Sequence, residues 1–214
     1  MPASAVAIRA DFETTLNHVS GAFTRLTAAS GNGKPLSFPD LHKTTDGLFL
    51  SAWTYWEQFL RELLVFELAT DANGVLRKEV KANGFRLGRS HLRLAQLIVD
   101  HPDEDKWVEW SSIDGVKDRA DCLLGTGHRF ANLTGNPLGD LRRLKKVRNA
   151  VAHKSDHAWD EFRDLVQKQP YSLAAGSLRG LTTGRFLSAH SVGGVPVFTH
   201  SVNVLRSAAT TLVP

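Results

Sequence analysis

The stretch that decides the fold is HKTTDGLFLSAWTYWEQFLRELLVFELA, residues 42–69. Its large apolar side chains fall around nearly the whole circumference of a helix: Trp53, Tyr55, Trp56, Phe59, Leu60, Leu63, Leu64 and Phe66. A helix that is apolar all round packs against neighbours on several sides, so this segment predicts the central helix of a helical protein. Glu57 lies in its middle. Because burying a lone charge is costly, we expect this carboxylate to face solvent or to meet a cation.

The segments on either side of this helix predict further helices. Residues 5–28 carry apolar side chains at alternating spacings of four and three, which is the stripe of an amphipathic helix: Phe12, Leu16, Val19, Phe23 and Leu26. Residues 89–101 predict a short helix with Ser90 as its N-cap, and residues 111–125 predict another. Residues 125–139, GTGHRFANLTGNPLG, predict a loop that gives access to substrate. They do not predict a phosphate-binding loop, because no Gly-Lys-Ser/Thr follows.

The remaining sequence predicts one long helix and a small hairpin. From about Pro137 to about Gln169, seven apolar residues fall within about a third of a helical circumference: Leu141, Leu144, Val147, Val151, Ala158, Phe162 and Leu165. Two short apolar runs around Gly193 and Gly194 predict a β-hairpin, and residues 201–213 predict a closing helix. The sequence therefore predicts an all-α bundle in one domain, residues 1–214. Its core covers about residues 5–169, and a C-terminal elaboration covers about residues 170–214.

Composition narrows the class of protein. A chain of 214 residues with 42% apolar side chains is long enough for one well-buried core. A net charge of +4 mildly favours an anionic partner such as nucleic acid. The single cysteine, Cys122, excludes an intrachain disulfide framework and a CxxC-type zinc site. Because no run approaches the roughly 18 apolar residues of a membrane span, and no apolar leader begins the chain, we expect a cytoplasmic protein without a membrane partner.

The candidate chemistry lies in LRRLKKVRNAVAHKSDHAW, residues 141–159. Arg148 falls inside the apolar stripe, and a guanidinium that is never neutral must there meet an acid, a ring face or a phosphate. Asn149 and His153 project together on another, polar face. In a regular helix Arg148 and His153 are about 140° apart. We therefore expect either a bend near Ala150 or a second copy of the chain to complete any site that uses both.

The string Arg148-Asn149-Ala150-Val151-Ala152-His153 resembles the R-x4-6-H signature of the HEPN superfamily, including the polar residue after the arginine. SAWTYWEQFLREL, residues 51–63, resembles the tryptophan- and glutamate-bearing second helix of several prokaryotic HEPN branches. The resemblance covers most of residues 5–169. It implies an all-α bundle that forms a homodimer, in which two copies of the signature line one cleft. It also implies a metal-independent endoribonuclease of the kind found in toxin–antitoxin, abortive-infection and anti-phage defence systems.

The resemblance implies a role for each site residue. His153 removes a proton from the ribose 2′-hydroxyl, or acts as the acid from the partner chain, because its ordinary pKa of about 6.5 suits proton transfer near neutral pH. Arg148 holds the phosphate as a planar double donor, and Asn149 orients the histidine or the phosphate. Glu57 is the expected partner of Arg148. Further basic residues are RNA-binding candidates: Arg129, Arg142, Lys145 and Lys146. No metal or cofactor is implied.

The sequence differs from the HEPN pattern in some features, and two other functions are compatible with it. Some HEPN toxins carry a tyrosine two residues after the histidine, where modification silences them, whereas Ser155 stands here. No nucleotidyltransferase or helicase module is present in the sequence, so an antitoxin or sensor would be a separate protein. One alternative is a non-catalytic HEPN dimer that serves as an interaction or nucleotide-sensing module. Another is a zinc site on one helix, formed by His153, Asp156 and His157, although the glutamate of an HExxH motif is missing.

Overall fold

The central helix predicted from residues 42–69 is present and begins four residues earlier. The computed structural model describes residues 4–70, 74, 91–100, 109–153 and 155–214. The α-helices of these residues are α1 Ala5–Ala29, α2 Phe38–Thr70, α3 His91–Asp100, α4 Ile113–Leu124, α5 Gly135–Ala152, α6 Asp156–Gln167, α7 Thr183–Ala189 and α8 Val197–Leu212. Strands β1 Ser191–Val192 and β2 Val195–Pro196 pair antiparallel. The protein is all-α with a small C-terminal hairpin, as the sequence predicts.

Helix starts follow the capping residues of the sequence. The Ser4 hydroxyl accepts a hydrogen bond from the backbone N–H of Ala7 at the start of α1, and Ser112 caps α4 in the same way. Each cap satisfies a backbone donor that has no partner inside its own helix. The predicted N-cap of α3, Ser90, lies outside the described residues.

The core is built around α2, which packs against α1, α3 and α7. The predicted stripe of α1 is buried along its whole length, and its Phe12 ring stacks on Phe59 of α2 with ring centroids 4.9 Å apart. Trp56 is fully buried beside them. Burying one aromatic side chain of this size contributes about 1.5–3 kcal/mol, so this aromatic contact is a main attachment of α1 to α2.

The single helix predicted for residues 137–169 is wrong. The chain forms two helices instead, because α5 ends at Ala152 and α6 begins at Asp156. Lys146 of α5 meets Glu161 of α6 at 3.1 Å, and these residues lie at similar distances from the break. The two helices therefore fold back along each other. The predicted loop is also shorter than expected, since α5 begins at Gly135 and a 3-10 turn spans Arg129–Asn132.

The C-terminal segment closes the bundle. Gly193 and Gly194 both adopt positive φ angles, +58° and +81°, as a two-residue hairpin turn requires. Helix α8 packs against α1 and α5, and Phe198 stacks on Phe23 with ring centroids 4.2 Å apart. Buried side chains from Ala5 to Val213 belong to one hydrophobic cluster. In the described part of the chain, no helix is both long and apolar enough to cross a membrane.

Three partly buried histidines make the stability of this fold depend on pH. Burial lowers the pKa of His42, His190 and His200 below the ordinary value of 6.5, and the charge of Arg185 adds to this effect for the first two. Below about pH 6.5 these histidines bind protons more readily in the unfolded chain than in the folded chain. The free energy of unfolding therefore decreases as the pH decreases. We expect the urea midpoint to drop between about pH 7.5 and about pH 5.5, and His200→Gln to reduce that drop. A urea midpoint that stays constant over this pH interval would contradict the lowered pKa values of these histidines.

Candidate active site

The site forms where α5 ends. His153 leaves the helix with an extended backbone, φ −114° and ψ 107°, while its N–H still donates to the carbonyl oxygen of Asn149 at 2.8 Å. Two residues later Ser155 caps α6, and its hydroxyl accepts from the N–H of Ala158. A serine followed by an acidic residue is a helix start signal. The break turns the imidazole away from the position that a continuous helix would give it.

This break brings Arg148 and His153 together within one chain. The Nη1 atom of Arg148 lies 3.0 Å from Nε2 of His153 and 3.3 Å from Oδ1 of Asn149. Because a guanidinium nitrogen only donates, Nε2 of His153 accepts this bond and carries no proton. The expectation of a bend near Ala150 is wrong, since α5 remains helical there and ends after Ala152. A second copy of the chain is not needed to bring these two side chains into contact.

Glu57 of the central helix lies near the second terminal nitrogen of the guanidinium. Its Oε1 atom is 3.8 Å from Nη2 of Arg148, and it accepts a hydrogen bond from Nε1 of Trp53 at 2.8 Å. The expectation that Glu57 meets a cation is confirmed. Burial raises the pKa of Glu57 above its ordinary value, an effect that Arg148 and Trp53 oppose and that the charge of Glu109 reinforces. Burial therefore disfavours the charged form of this group. Carboxyl groups with perturbed pKa values are typical of functional sites.

Glu109 acts on the site through its charge, and the sequence does not predict it. Its carboxylate accepts from Nζ of Lys145 and from the hydroxyl of Ser111, each at 2.8 Å. These bonds, the Lys145 bond first, lower the pKa of Glu109, and the charge of Arg148 lowers it further. The charge of Arg148 therefore acts on two carboxyl groups, one with a raised pKa and one with a lowered pKa. No motif or periodicity marks Glu109, because it approaches the site only through the packing of the bundle.

The predicted RNA-binding residues all pair with acidic side chains of the same chain. Arg142 binds Asp114 through two hydrogen bonds of 2.7 and 3.0 Å, Lys145 binds Glu109, and Lys146 binds Glu161. Arg129 binds Glu67 at 2.6 Å. Glu67 lies about 15 Å along α2 from Glu57, given a rise of about 1.5 Å per residue, so Arg129 is not adjacent to the site. RNA phosphates would have to exchange with these carboxylates.

The helix break also bears on the alternative of a zinc site. His153 ends one helix while His157 lies in the next, so they do not share one helix face as the i, i+4 spacing requires. The His157 side chain is 87% exposed. Among the residues that the structure describes, no three His, Cys, Asp or Glu side chains cluster as a metal site would need. The premise of this alternative is therefore not met in this part of the chain.

Comparisons with known proteins leave the family open: no family model, no curated protein and no solved structure matches the chain. The resemblance to the HEPN superfamily stays a prediction from the sequence motifs. What the structure adds is a local arrangement in which a guanidinium, an imidazole and a half-buried carboxyl group meet.

Proposed function

We propose that the chain is a metal-independent endoribonuclease of HEPN type. The observation that carries the proposal is the 3.0 Å contact between Nη1 of Arg148 and Nε2 of His153, with Glu57 3.8 Å from Nη2 of the same guanidinium. This arrangement offers a double hydrogen-bond donor for a phosphate beside an unprotonated imidazole nitrogen. His153 is solvent-exposed, and the Arg148 side chain retains 24% of its exposure, so both groups are accessible to a polynucleotide.

The proposed reaction needs only these side chains and the RNA itself. Nε2 of His153 removes the proton from a ribose 2′-hydroxyl, and the 2′-oxygen attacks the adjacent phosphorus. The bond from phosphorus to the 5′-oxygen then breaks, which leaves a 2′,3′-cyclic phosphate and a 5′-hydroxyl. Arg148 donates to the phosphate oxygens as negative charge develops on them. Asn149 orients Arg148 through its side chain and His153 through its backbone carbonyl.

In the free protein Arg148 occupies the lone pair that this reaction needs. The guanidinium donates to Nε2 of His153, and an atom that accepts this bond cannot at the same time accept a proton from ribose. A phosphate that takes over the Nη1 donor releases Nε2. Binding of the RNA backbone therefore both positions the substrate and frees the base.

The partners proposed for the chain follow from the resemblance. They are an RNA substrate, a second copy of the chain, and a separate antitoxin or sensor protein in a toxin–antitoxin or anti-phage system. Because Arg148 and His153 already meet within one chain, the second copy would contribute added positive charge along the cleft. Such charge attracts an RNA backbone in a salt-dependent manner.

Cleavage of single-stranded RNA in EDTA tests the proposal. We expect the wild-type chain to cut RNA and leave 2′,3′-cyclic phosphate ends. His153→Ala should lower the rate by at least about 10²-fold, because it removes the proposed base. His157→Ala is the matched control, since that ring lies nearby in sequence but is 87% exposed on α6. A wild-type chain that cuts no RNA, or a His153→Ala variant that is as active as the control, would refute the proposal.

One observation favours a second candidate, a non-catalytic module that binds partners or nucleotides. The basic side chains expected to hold RNA are already paired with carboxylates, which reduces the positive potential that a polynucleotide would meet. In that case the wild-type chain would bind RNA or a nucleotide without cleaving it. Binding should then weaken when Arg148 is replaced and stay unchanged when His153 is replaced.

A further inference from the structure

We propose that Glu57 is the general acid of this reaction and donates the proton that the departing 5′-oxygen takes up. The assignment rests on the proposed function and gives Glu57 a role beyond that of a partner for Arg148. It makes Glu57 a catalytic residue that contacts the reacting atoms.

Arg148 has a different group beside each of its two terminal nitrogens. Nη1 of the guanidinium faces the His153 imidazole, and Nη2 faces the Glu57 carboxyl group. A phosphate bound to both nitrogens would therefore lie near the imidazole at Nη1 and near the carboxyl group at Nη2. Displacement at phosphorus places the attacking and leaving oxygens roughly in line, on opposite sides of the phosphorus. This displacement needs a base beside the attacking oxygen and an acid beside the leaving oxygen, and the two groups next to Arg148 are of these two kinds.

The environment of the Glu57 carboxyl group suits proton donation. It is 23% exposed, so one face remains accessible to substrate, while Oε1 is held by the Trp53 indole. Burial raises its pKa, which favours the protonated form that an acid needs. The charged groups that face it are Arg148 from α5, which opposes this rise, and Glu109 from the segment before α4, which adds to it. A half-buried carboxyl group with a raised pKa beside an indole suits a general acid.

The proton balance of the proposed step closes with these two groups. The 2′-hydroxyl proton passes to Nε2 of His153 as the bond from the 2′-oxygen to phosphorus forms. The bond from phosphorus to the 5′-oxygen breaks as the Glu57 proton passes to that oxygen. Glu57 is left as a carboxylate and His153 as an imidazolium, and exchange with water restores both. Base, phosphate donor and acid are then supplied by one chain, without a histidine from a partner.

Glu57→Gln tests the assignment with two RNA substrates. The glutamine keeps an oxygen that can accept the Trp53 bond but has no proton of suitable acidity. One substrate is ordinary RNA, and the other carries sulfur in place of the 5′-bridging oxygen at the cut site. A thiol is a far stronger acid than an alcohol, so the sulfur departs without a proton donor. We expect Glu57→Gln to cut ordinary RNA about 10²–10⁴-fold more slowly and to cut the sulfur substrate within about tenfold of the wild-type rate.

Controls separate this assignment from the proposed function. His153→Ala should slow both substrates, because the base acts before either leaving group departs. Glu62→Gln should slow neither, since that side chain lines a groove with α1 residues rather than the site. If Glu57→Gln slows both substrates equally, or leaves ordinary RNA unaffected, Glu57 is not the acid. If the wild-type chain cuts neither substrate, the proposed function itself fails.

Discussion

We expect Arg148→Ala to lower kcat for RNA cleavage by about 10³-fold, which is typical when a donor to the developing phosphate charge is removed. Arg148 contacts His153 through Nη1 and faces Glu57 through Nη2, so its loss removes the phosphate donor and separates the two other groups. KM should rise less than kcat falls, since the contact strengthens in the transition state. Steady-state kinetics on a short single-stranded RNA measure both parameters.

Arg148→Lys and Arg142→Ala sharpen this prediction. Lysine keeps the charge but presents one nitrogen, so it cannot face His153 and Glu57 at once, and we expect it to restore only part of the lost activity. Arg142 lies on the same helix and pairs with Asp114, so Arg142→Ala controls for the loss of one positive charge. If Arg142→Ala is as damaging as Arg148→Ala, general electrostatic attraction of RNA explains the effect. Complete rescue by lysine would show that the paired nitrogens are not required.

The helices were predictable because the buried face of a helix appears in the sequence as apolar residues at helical spacing. The spacing of Phe12, Leu16 and Val19 predicted α1 to within one residue at its C-terminal end. The apolar circumference of residues 42–69 predicted that α2 lies at the centre of the bundle. The adjacent glycines at 193 and 194 predicted the hairpin, because few other residues adopt two successive positive φ angles.

The spacing of apolar residues did not predict the break between α5 and α6. Val151 and Ala158 are seven residues apart, the spacing of two turns in an unbroken helix, so the apolar stripe continues across the break. No glycine or proline marks the position. The local signal was Ser155 before Asp156, a helix start within an otherwise helical pattern. The contact between Arg148 and His153 depends on this break, so the geometry of the site could not be predicted from periodicity.

The pairing of Glu57 with Arg148 was expected from the family resemblance, whereas the position of Glu109 was not predicted at all. Electrostatics alone left open whether Glu57 would face solvent or meet a cation, and whether Arg148 would meet an acid, a ring face or a phosphate. Each residue is unusual in its own helix, because Glu57 is an acid among aromatic side chains and Arg148 is a cation in an apolar stripe. The structure places Oε1 of Glu57 3.8 Å from Nη2 of Arg148. Glu109 lies in an irregular segment with ordinary exposure, so nothing local distinguishes it from other surface acids. A contact that is made only by tertiary packing gives no local pattern in the sequence.

We expect Gly184→Ala to destabilise the fold more than any other alanine substitution considered for this chain. Helix α7 crosses α2 so closely that a Cβ atom at position 184 would lie 2.0 Å from the carbonyl oxygen of His42 and 2.5 Å from its carbonyl carbon. These are backbone atoms within a 33-residue helix, so they cannot move aside as a flexible side chain would. The added methyl group must push α7 away from α2, which displaces the buried side chains that α7 contributes to the core, Phe186 and Leu187.

The expected cost is about 3 kcal/mol or more, at the upper end of overpacking effects, which lowers Tm by roughly 6–12 °C for a domain of this size. Gly47→Ala is the matched control, because this glycine is exposed within α2 and a Cβ atom there meets nothing within 4 Å. Alanine in a helix interior is favoured over glycine by about 0.5–1 kcal/mol, so this control should raise Tm. Thermal unfolding followed by circular dichroism measures both variants. If Gly184→Ala matches the wild-type Tm, the two helices do not approach as closely as described, and the packing of the C-terminal segment onto α2 would need revision.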